Sequence, residues 1–523
     1  MRISLRIVRE HRMLFGFIAL ALVVRIVFWL YTGRVWEDAM ITLTPARNAW
    51  EGVGLTHHAS EPRVHSFTSP ISVLVPLVGE AFRAGLITLR LASLVAAVGT
   101  IYFAYRIGLL LRFGWAAHVL LLTYLSCDQL QIFFGMSGME TQIATAIALA
   151  ILYFYMTEKW GAFGLACGLA AITRPEFVLF LLPPFGLAVL VFHTRHALRA
   201  ALAALMVAGP WYLFAQLYYG SIIPHTIVAK SLSFRTKAFS APLKGVWEYT
   251  RGSWADFVPF KEFCFSQPFS APLPDPILKI VLAALVGLIL TGLFFAARRQ
   301  KVLLVVGAAV IGFLVYRNST VQNSYYMWYL PPFMALGFVV AGYGLSAITS
   351  RIPMAGGILG PVLAFSYALH MPFSFPLERK VQRLVEVDVR ARVGRILNGM
   401  MTKDDTAVLE PLGYIGWEAR NKTIFDFPGL GSRVSVAALK DASPPTGAVL
   451  INVLNPTYAV VRPREFHELV RHFPATAAKY EVAARIRAKQ GLRFRRMGYQ
   501  YSNGDTDYSI LRRTTAFEEV VRP

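Results

Sequence analysis

Charged residues are scarce in this chain of 523 residues: they make up 16% of it, against 55% hydrophobic residues. A soluble fold of this length would need more polar surface, so the composition excludes an ordinary soluble protein and indicates lipid as the main solvent. Acidic residues are scarcer than basic ones, 30 against 52. Many basic residues lie in short tracts beside apolar runs, an arrangement that sets membrane orientation and disfavours nucleic-acid binding.

Cysteine is also scarce. Cys127 and Cys167 lie inside apolar runs, and together with Cys264 they show neither metal-ligand spacing nor a disulfide ladder, so redox chemistry is not indicated. No small-residue cleavage site follows the first apolar stretch, although several arginines precede it. We therefore interpret this stretch as an uncleaved transmembrane helix whose basic end lies in the cytoplasm.

Long apolar runs recur over the first three quarters of the chain. Runs of about 20 residues can cross a bilayer as helices, and they lie at 13–31, 86–110, 115–134, 139–157, 198–218, 278–297, 302–317, 326–348 and 355–373. Two shorter runs, 161–173 and 176–193, flank a charged Thr-Arg-Pro-Glu break that we expect at an interface or beside a polar cavity. Segment 68–84 is either a further span or a juxtamembrane helix. We predict about ten to twelve transmembrane helices.

The basic tracts predict the topology. Those near 195–199, 298–301 and 351 are expected in the cytoplasm with the N-terminus, which places loops 32–68 and 219–277 outside. After about residue 376 the hydropathy collapses. We predict a transmembrane domain over 1–376 and an extracytoplasmic α/β domain over 377–523. Its predicted strands include 407–409 and 449–451, with a turn at 502–505.

Two adjacent carboxylates, Glu37 and Asp38, follow the first apolar run directly. A carboxylate at the boundary between water and lipid can accept a proton from a hydroxyl, or help to hold a divalent cation against a phosphate. The alternative is an ordinary acidic helix terminus.

Several short motifs follow in a fixed order. They are Ala-Arg-Asn at 46–48, Gly-Val-Gly-Leu at 52–55, Phe-Thr-Ser-Pro at 67–70, Ser-Gly-Met-Glu at 137–140, Thr-Arg-Pro-Glu at 173–176, Ile-Pro-His-Thr at 223–226, Glu-Pro-Leu-Gly-Tyr-Ile-Gly at 410–416 and Asp-Phe-Pro-Gly-Leu at 426–430. The ordered set resembles the GT-C superfamily of membrane glycosyltransferases. Within it, the set is most similar to the group containing the terminal arabinofuranosyltransferase of mycobacterial cell-wall synthesis.

The resemblance implies an inverting glycosyltransferase that takes one sugar from a polyprenyl-phosphate donor on the external face of a bacterial-type inner membrane. It implies Asp38 as the catalytic carboxylate and Glu37 as its helper. The family usually has Asp-Asp here, which leaves the division of labour between the two residues open. The sugar that the resemblance favours is arabinofuranose, but related folds use mannose, galactose, glucose or aminoarabinose, and no residue of the sequence distinguishes them. The acceptor is a cell-envelope glycan, a glycolipid or a protein. Mg²⁺ or Mn²⁺ is an option but is not required, because cations of the chain could neutralise a monophosphate.

Three basic residues are candidates for binding the donor phosphate. Lys230 at the start of the second external loop could reach it, although snorkelling would also explain this lysine. His225 could donate a hydrogen bond, or have no catalytic role. Arg25, inside the first span, is interpreted as snorkelling to the boundary, with phosphate contact as the competing role.

Further residues are predicted to line a substrate cavity: Arg47, Glu140, Arg174, Glu176, Tyr325 and Tyr326. Ion pairing of Arg174 with Glu140 or Glu176 is an equally weighted structural alternative. An interfacial aromatic belt would explain the tyrosines, with sugar stacking as a second role. A secondary transporter or flippase is the alternative function, because charged, Pro-broken helices also mark transport pathways. A structural scaffold is a third.

Overall fold

The computed structural model describes residues 11–233, 275–320, 327–369, 371–488 and 505–514. The chain divides into two compact units. The helical unit comprises Met1–Gly33, Leu89–Tyr212 and Thr236–Pro376, and the mixed unit comprises Arg34–Thr88, Leu213–Arg235 and Leu377–Pro523.

The described residues form mainly helices. In chain order these are α1 (Arg12–Thr32), α2 (Glu37–Trp50), α3 (Ile71–Glu80), α4 (Gly85–Leu110), α5 (Trp115–Cys127), α6 (Gln129–Met136), α7 (Thr141–Met156), α8 (Trp160–Thr173), α9 (Leu182–Phe192), α10 (Thr194–Tyr219), α11 (His225–Ser233), α12 (Asp275–Arg299), α13 (Val302–Thr320), α14 (Leu330–Thr349), α15 (Pro353–Ala368), α16 (Met371–Val381), α17 (Arg392–Met400), α18 (Leu412–Glu418), α19 (Arg433–Leu439), α20 (Gly447–Leu454), α21 (Pro463–His472) and α22 (Pro474–Ala477). Wider π-helical turns occupy Phe177–Leu181 and Gln382–Ala391, and a 3-10 turn occupies Met327–Tyr329.

Seven helical stretches in the described part of the chain are long and apolar enough to cross a membrane. They are Arg12–Thr32, Gly85–Leu110, Trp115–Met136, Thr194–Tyr219, Ile280–Arg299, Met327–Thr349 and Gly356–Met400. Shorter apolar helices lie between them, including Thr141–Met156 and Trp160–Thr173. The predicted polytopic helical class is therefore confirmed.

Helix α14 lies in the core of the helical unit. It packs against α5, α7, α12, α13 and α15, and its residues from Leu330 to Gly342 are all buried. A helix that is apolar on every face is expected in such a position. Phe338 of α14 stacks on Tyr124 of α5 with ring centroids 3.8 Å apart.

Two breaks shape the early part of the chain. The predicted span 115–134 is interrupted at Asp128, whose side chain caps α6 by accepting a hydrogen bond from the Gln131 N–H at 3.0 Å. Segment 68–84 contains α3, a helix of 10 residues. Since a helix needs about 20 residues to cross a bilayer, α3 is too short to span one alone.

The mixed unit contains a five-stranded sheet with strand order β2-β1-β3-β5-β4. The strands are β1 (Thr406–Leu409), β2 (Thr423–Asp426), β3 (Tyr458–Val461), β4 (Tyr480–Arg487) and β5 (Asp507–Arg513). The first three strands in this order are parallel to one another, and β5 is antiparallel to both β3 and β4. The predicted small α/β region is therefore confirmed, and residues 407–409 form a strand as predicted.

The prediction of a strand at 449–451 is wrong, because these residues belong to α20. Thr446 caps this helix by accepting the Val449 N–H at 3.3 Å, and Asn455 ends it in the left-handed conformation. A short apolar run fits a buried helix as well as a buried strand, so the capping residues on either side decide between them.

Candidate active site

The two predicted catalytic carboxylates lie in the first turn of α2, in the mixed unit. Trp36, in extended conformation, precedes this helix, and Glu37 and Asp38 are its first two residues. Negative charge at a helix N-terminus is stabilised by the unpaired backbone N–H groups and by the helix dipole. Both side chains are only partly buried. This position therefore suits an ionised carboxylate that must reach a substrate.

Arg34 anchors the chain just before these carboxylates. Its side chain is 1% exposed and pairs with Glu378 at 2.8 Å and with Glu386 at 2.9 Å. It also donates hydrogen bonds to the Gln382 side chain at 3.2 Å and to the Val35 carbonyl oxygen at 2.7 Å. The guanidinium group thus contacts the C-terminal end of α16 and the π-helical turn that follows it.

The backbone of Val35 is held as well. Its N–H donates to the Gln382 side-chain oxygen at 3.0 Å, and its carbonyl oxygen accepts a hydrogen bond from the Tyr414 hydroxyl at 3.2 Å. Gln382 and Tyr414 are also hydrogen-bonded to each other at 3.0 Å. Every polar backbone group of Val35 is therefore bound to the C-terminal part of the mixed unit.

The Glu37 carboxylate is bound by that part too. One of its oxygens accepts a short hydrogen bond from the Gly413 N–H at the start of α18. Burial, followed by the negative charge of Asp38, raises the pKa of Glu37 to about 8, while the positive charge of Arg390 and the Gly413 N–H oppose the rise. Glu37 is therefore mostly protonated at neutral pH.

A chain of ion pairs leads from this site to the sheet. Glu386 pairs with Arg390 at 2.8 Å, and Arg390 pairs with Asp505 at 2.6 Å. Asp505 in turn pairs with Arg462 at 3.0 Å, and Arg462 also meets Glu410. Glu410 and Arg462 directly follow the parallel strands β1 and β3, so both project from the carboxyl edge of the sheet.

This polar network was not predicted from the sequence. Arg34 lies 344 residues before Glu378 and 352 before Glu386 along the chain. No local period or spacing can relate residues so far apart. The available signal was indirect, since Glu410 and Gly413 belong to one of the motifs that carry the resemblance.

Arg47, predicted to line a cavity, has protein partners on α3 and α18. Its guanidinium pairs with the buried carboxylate of Glu80 and lies 5.5 Å from the ring centre of Trp417. These contacts hold α2 against its two neighbouring helices.

Two of the predicted phosphate ligands, His225 and Lys230, belong to α11 in the mixed unit. The His225 backbone N–H donates to the His65 carbonyl oxygen at 3.0 Å, and its Nε2 lies 3.3 Å from the Ser432 carbonyl oxygen. Burial lowers the pKa of His225, so the imidazole is neutral at neutral pH. Lys230 is partly buried in the last turn of α11.

Arg25, the third predicted phosphate ligand, lies in the helical unit and is fully buried. It donates to the Gln142 side chain at 3.0 and 2.7 Å and to the carbonyl oxygens of Ala21, Leu125 and Ser126 at 2.9 to 3.2 Å. The interpretation that it snorkels is wrong, because the side chain does not reach the surface. These five bonds use all five guanidinium N–H groups, so none is left for a phosphate.

The remaining predicted cavity residues also lie in the helical unit. Glu140 and Arg174 form a buried ion pair at 2.9 Å, and Arg174 lies 5.1 Å from the ring centre of Tyr329. Pairing of Arg174 with Glu140 is one of the structural alternatives that the sequence allowed. Glu176 is buried next to the π-helical turn Phe177–Leu181. Tyr325 and Tyr326 fall outside the described residues.

Solved structures similar to this chain include those of ArnT and AglB. ArnT from Cupriavidus metallidurans bound to undecaprenyl phosphate is 14% identical with a TM-score of 0.57, covering 96% of this chain and 98% of that one. The same protein in the apo state is 13% identical with a TM-score of 0.57, over 97% and 99%. The archaeal oligosaccharyltransferase AglB from Archaeoglobus fulgidus, in complex with an inhibitory peptide and a dolichol-phosphate, is 10% identical with a TM-score of 0.52, over 91% and 73%.

These likenesses extend over nearly the whole chain, so the GT-C fold expected from the motifs is confirmed. Residues 379–511 match a family model described as a domain of unknown function, DUF8728. No curated protein matches the chain. The likeness to the arabinofuranosyltransferase group stays a prediction.

Proposed function

We propose that the chain is a polyprenyl-phosphate-dependent glycosyltransferase in which Asp38 accepts the proton of the attacking hydroxyl. The observation that carries this proposal is the placement of two carboxylates at the N-terminus of α2, directly after the first span, in a fold shared with structures that hold polyprenyl phosphates.

The proposed reaction forms one glycosidic bond. Asp38 takes the proton from an acceptor hydroxyl, whose oxygen then attacks the anomeric carbon of the donor sugar. The bond between that carbon and the phosphate oxygen breaks, and its electron pair leaves with polyprenyl phosphate. Because attack and departure occur on opposite faces of the sugar, the configuration inverts.

The leaving phosphate needs positive charge and hydrogen-bond donors close to it. We assign Lys230 as the cation, because its long, flexible side chain lets the ammonium group bind a phosphate at the membrane interface. His225 is left out, because its neutral imidazole carries one N–H, and Nε2 already directs it to the Ser432 carbonyl oxygen at 3.3 Å. Arg25 is left out, since its donors are already used.

A divalent cation would have to be held by Glu37, Asp38 and the phosphate itself. Among the residues that the structure describes, no three His, Cys, Asp or Glu side chains are grouped in a way that could hold a metal ion. A bound cation would have to displace the proton of Glu37, and the two carboxylates would then form, with phosphate oxygens and water, a donor set that Mg²⁺ accepts. Adding and chelating Mg²⁺ or Mn²⁺ in the assay below measures whether one takes part.

The substrates follow from the motif resemblance. We propose arabinofuranose as the sugar and a hydroxyl of a cell-envelope glycan, glycolipid or protein as the acceptor. We also propose that the reaction takes place on the external face of a bacterial inner membrane, with the N-terminus in the cytoplasm and residues 377–523 outside. Basic tracts beside the spans support this orientation.

The test uses the full chain in detergent with polyprenyl-phosphate donors carrying arabinofuranose or mannose, and measures release of polyprenyl phosphate. We expect release from one donor in the wild type and a loss of at least about 100-fold in Asp38→Asn, the effect of removing a general base. Asp441→Asn, at an exposed carboxylate, is the matched control.

Two results would contradict the proposal. An active, folded Asp38→Asn variant would remove the assigned base. Absence of release from every donor in detergent, with transport across sealed vesicles instead, would favour the secondary transporter or flippase, because a carrier needs two compartments and a transferase does not.

A further inference from the structure

The segment that leads into α2 is held more completely than an ordinary loop. Residues between the first span and α2 could connect the two with little restraint, since loops are normally solvated and mobile. Here Arg34 is 1% exposed and both polar backbone groups of Val35 are bonded to side chains. Ordering these groups costs conformational entropy, so the arrangement calls for a physical explanation.

Arg34 alone meets three consecutive turns of the C-terminal chain. Glu378, Gln382 and Glu386 recur every four residues, so they lie along one face of a helical segment and together receive the guanidinium group. The planar fork of arginine can bind two carboxylates and an amide at once, which lysine cannot. The direction of the chain at Val35 is therefore set by side chains from 378–386.

Three residues further on, the chain is held again. The Glu37 carboxylate accepts the Gly413 N–H, and Tyr414, the next residue, donates to the Val35 carbonyl oxygen. Arg34 and Gly413 therefore restrain the two ends of a stretch of four residues, and Asp38 is the residue that follows. Any rotation of α2 about its first turn would break one of these contacts.

We propose that Arg34 is a positioning residue that aims Asp38, and that its partners Glu378, Gln382 and Glu386 make the C-terminal region an integral part of the active site. This inference rests on the proposed function. A misplacement of about 1 Å of a catalytic group can cost roughly 100-fold in rate, so losing the contacts of Arg34 would lower kcat. Donor affinity would change little, because phosphate binding is assigned to α11.

The test compares Arg34→Lys with the wild type in the full chain. We expect kcat to fall roughly 10- to 100-fold, with the donor KM changed less than about twofold. Hydrogen exchange of the backbone amides at 34–38 should become faster, since Gln382, which accepts the Val35 N–H, loses the hydrogen bond from Arg34 that helps to hold it. Arg485→Lys, in a solvent-exposed pair with Asp507, is the matched control and should change none of these quantities.

Removing one partner of a buried ion pair can unfold a protein, so a second variant is needed. Gln382→Leu removes the acceptor of the Val35 N–H and leaves both ion pairs of Arg34 in place. It should also lower kcat and accelerate exchange at 34–38. Unchanged kcat, or unchanged exchange, in a folded Gln382→Leu variant would overturn the inference.

The two proposals fail in different ways. If Asp38→Asn is inactive while Arg34→Lys and Gln382→Leu keep full kcat, the positioning role is wrong and the function stands. If Asp38→Asn is active, the proposed function fails, and faster exchange in the other two variants would then report a restraint without a catalytic role, which also overturns the inference.

Discussion

At the scale of single residues, the two neighbouring carboxyl groups are assigned different roles. Glu37 is bound to a backbone N–H of α18 and lies near Arg390, whereas Asp38 is the residue assigned to the substrate. An aspartate at position 37 would be one methylene shorter, so the contact with the Gly413 N–H uses the full length of the glutamate side chain.

This difference leads to a prediction for Glu37→Gln. Folding raises the pKa of Glu37 to about 8 from its ordinary value of about 4.3. Between these values the folded protein keeps a proton that the unfolded chain has released, so this group's contribution to stability is complete below about pH 4.3 and is lost as the pH rises through about 8. Glutamine does not titrate. We expect the melting temperature of Glu37→Gln to fall less steeply than that of the wild type from about pH 5 to pH 9.

The control for this experiment is Glu481→Gln, which changes an exposed carboxylate on β4. Its melting curve should keep the slope of the wild type over the same range. Parallel curves for Glu37→Gln and the wild type would show that Glu37 does not hold a proton at neutral pH.

At the scale of helices and strands, sequence patterns were reliable where the physical signal is local. Apolar runs predicted the positions of apolar helices, and α1 matches its predicted run 13–31 closely. The predicted spans 139–157 and 302–317 form the shorter apolar helices Thr141–Met156 and Val302–Tyr316. The strand predicted at 449–451 is wrong because three apolar residues fit a buried helix as well as a buried strand. The break at Asp128 was missed because the capping carboxylate lies inside an otherwise apolar run.

The contact between α2 and α18 supports a prediction at this scale. A Cβ atom on Gly413 would overlap the backbone oxygen and the carboxylate of Glu37. Gly413→Ala must therefore push the first turn of α2 away. We expect it to destabilise the protein by about 1–3 kcal/mol, as overpacking does, and to lower transferase activity. Thermal unfolding and the release assay measure the two effects.

Gly399 supplies a matched control for Gly413. It lies in α17, and a Cβ atom there would meet nothing within 4 Å. Gly399→Ala should leave activity unchanged and hold or raise the melting temperature, because alanine costs less than glycine in a helix. Equal effects of the two substitutions would show that α2 and α18 do not depend on a close approach.

At the scale of the whole molecule, the mixed unit is assembled from three separate stretches of the chain, 34–88, 213–235 and 377–523. The sequence predicted the carboxylates, the two loops and the C-terminal region individually. It could not predict which of them pack together, because long-range pairing of Arg34 with Glu378 and Glu386 depends on the fold as a whole. The motif order indicated the fold without revealing these contacts.

The helical unit depends on close helix packing, which lipid alone does not drive. A Cβ atom on Gly344 of α14 would overlap the Leu288 carbonyl oxygen of α12, and one on Gly292 of α12 would overlap the Val340 carbonyl oxygen of α14. These two glycines let the helix backbones touch. Gly344→Ala should separate α12 from α14 and destabilise the protein by about 1–3 kcal/mol.

The matched control is Gly287→Ala on α12, where a Cβ atom would meet nothing within 4 Å. We expect a lower melting temperature in detergent for Gly344→Ala and an unchanged or higher one for Gly287→Ala. If Gly344→Ala is as stable as Gly287→Ala, the backbones of α12 and α14 can separate at no cost. Since α14 also packs against α5, α7, α13 and α15, its displacement should loosen those contacts as well, and faster hydrogen exchange in these helices would report it.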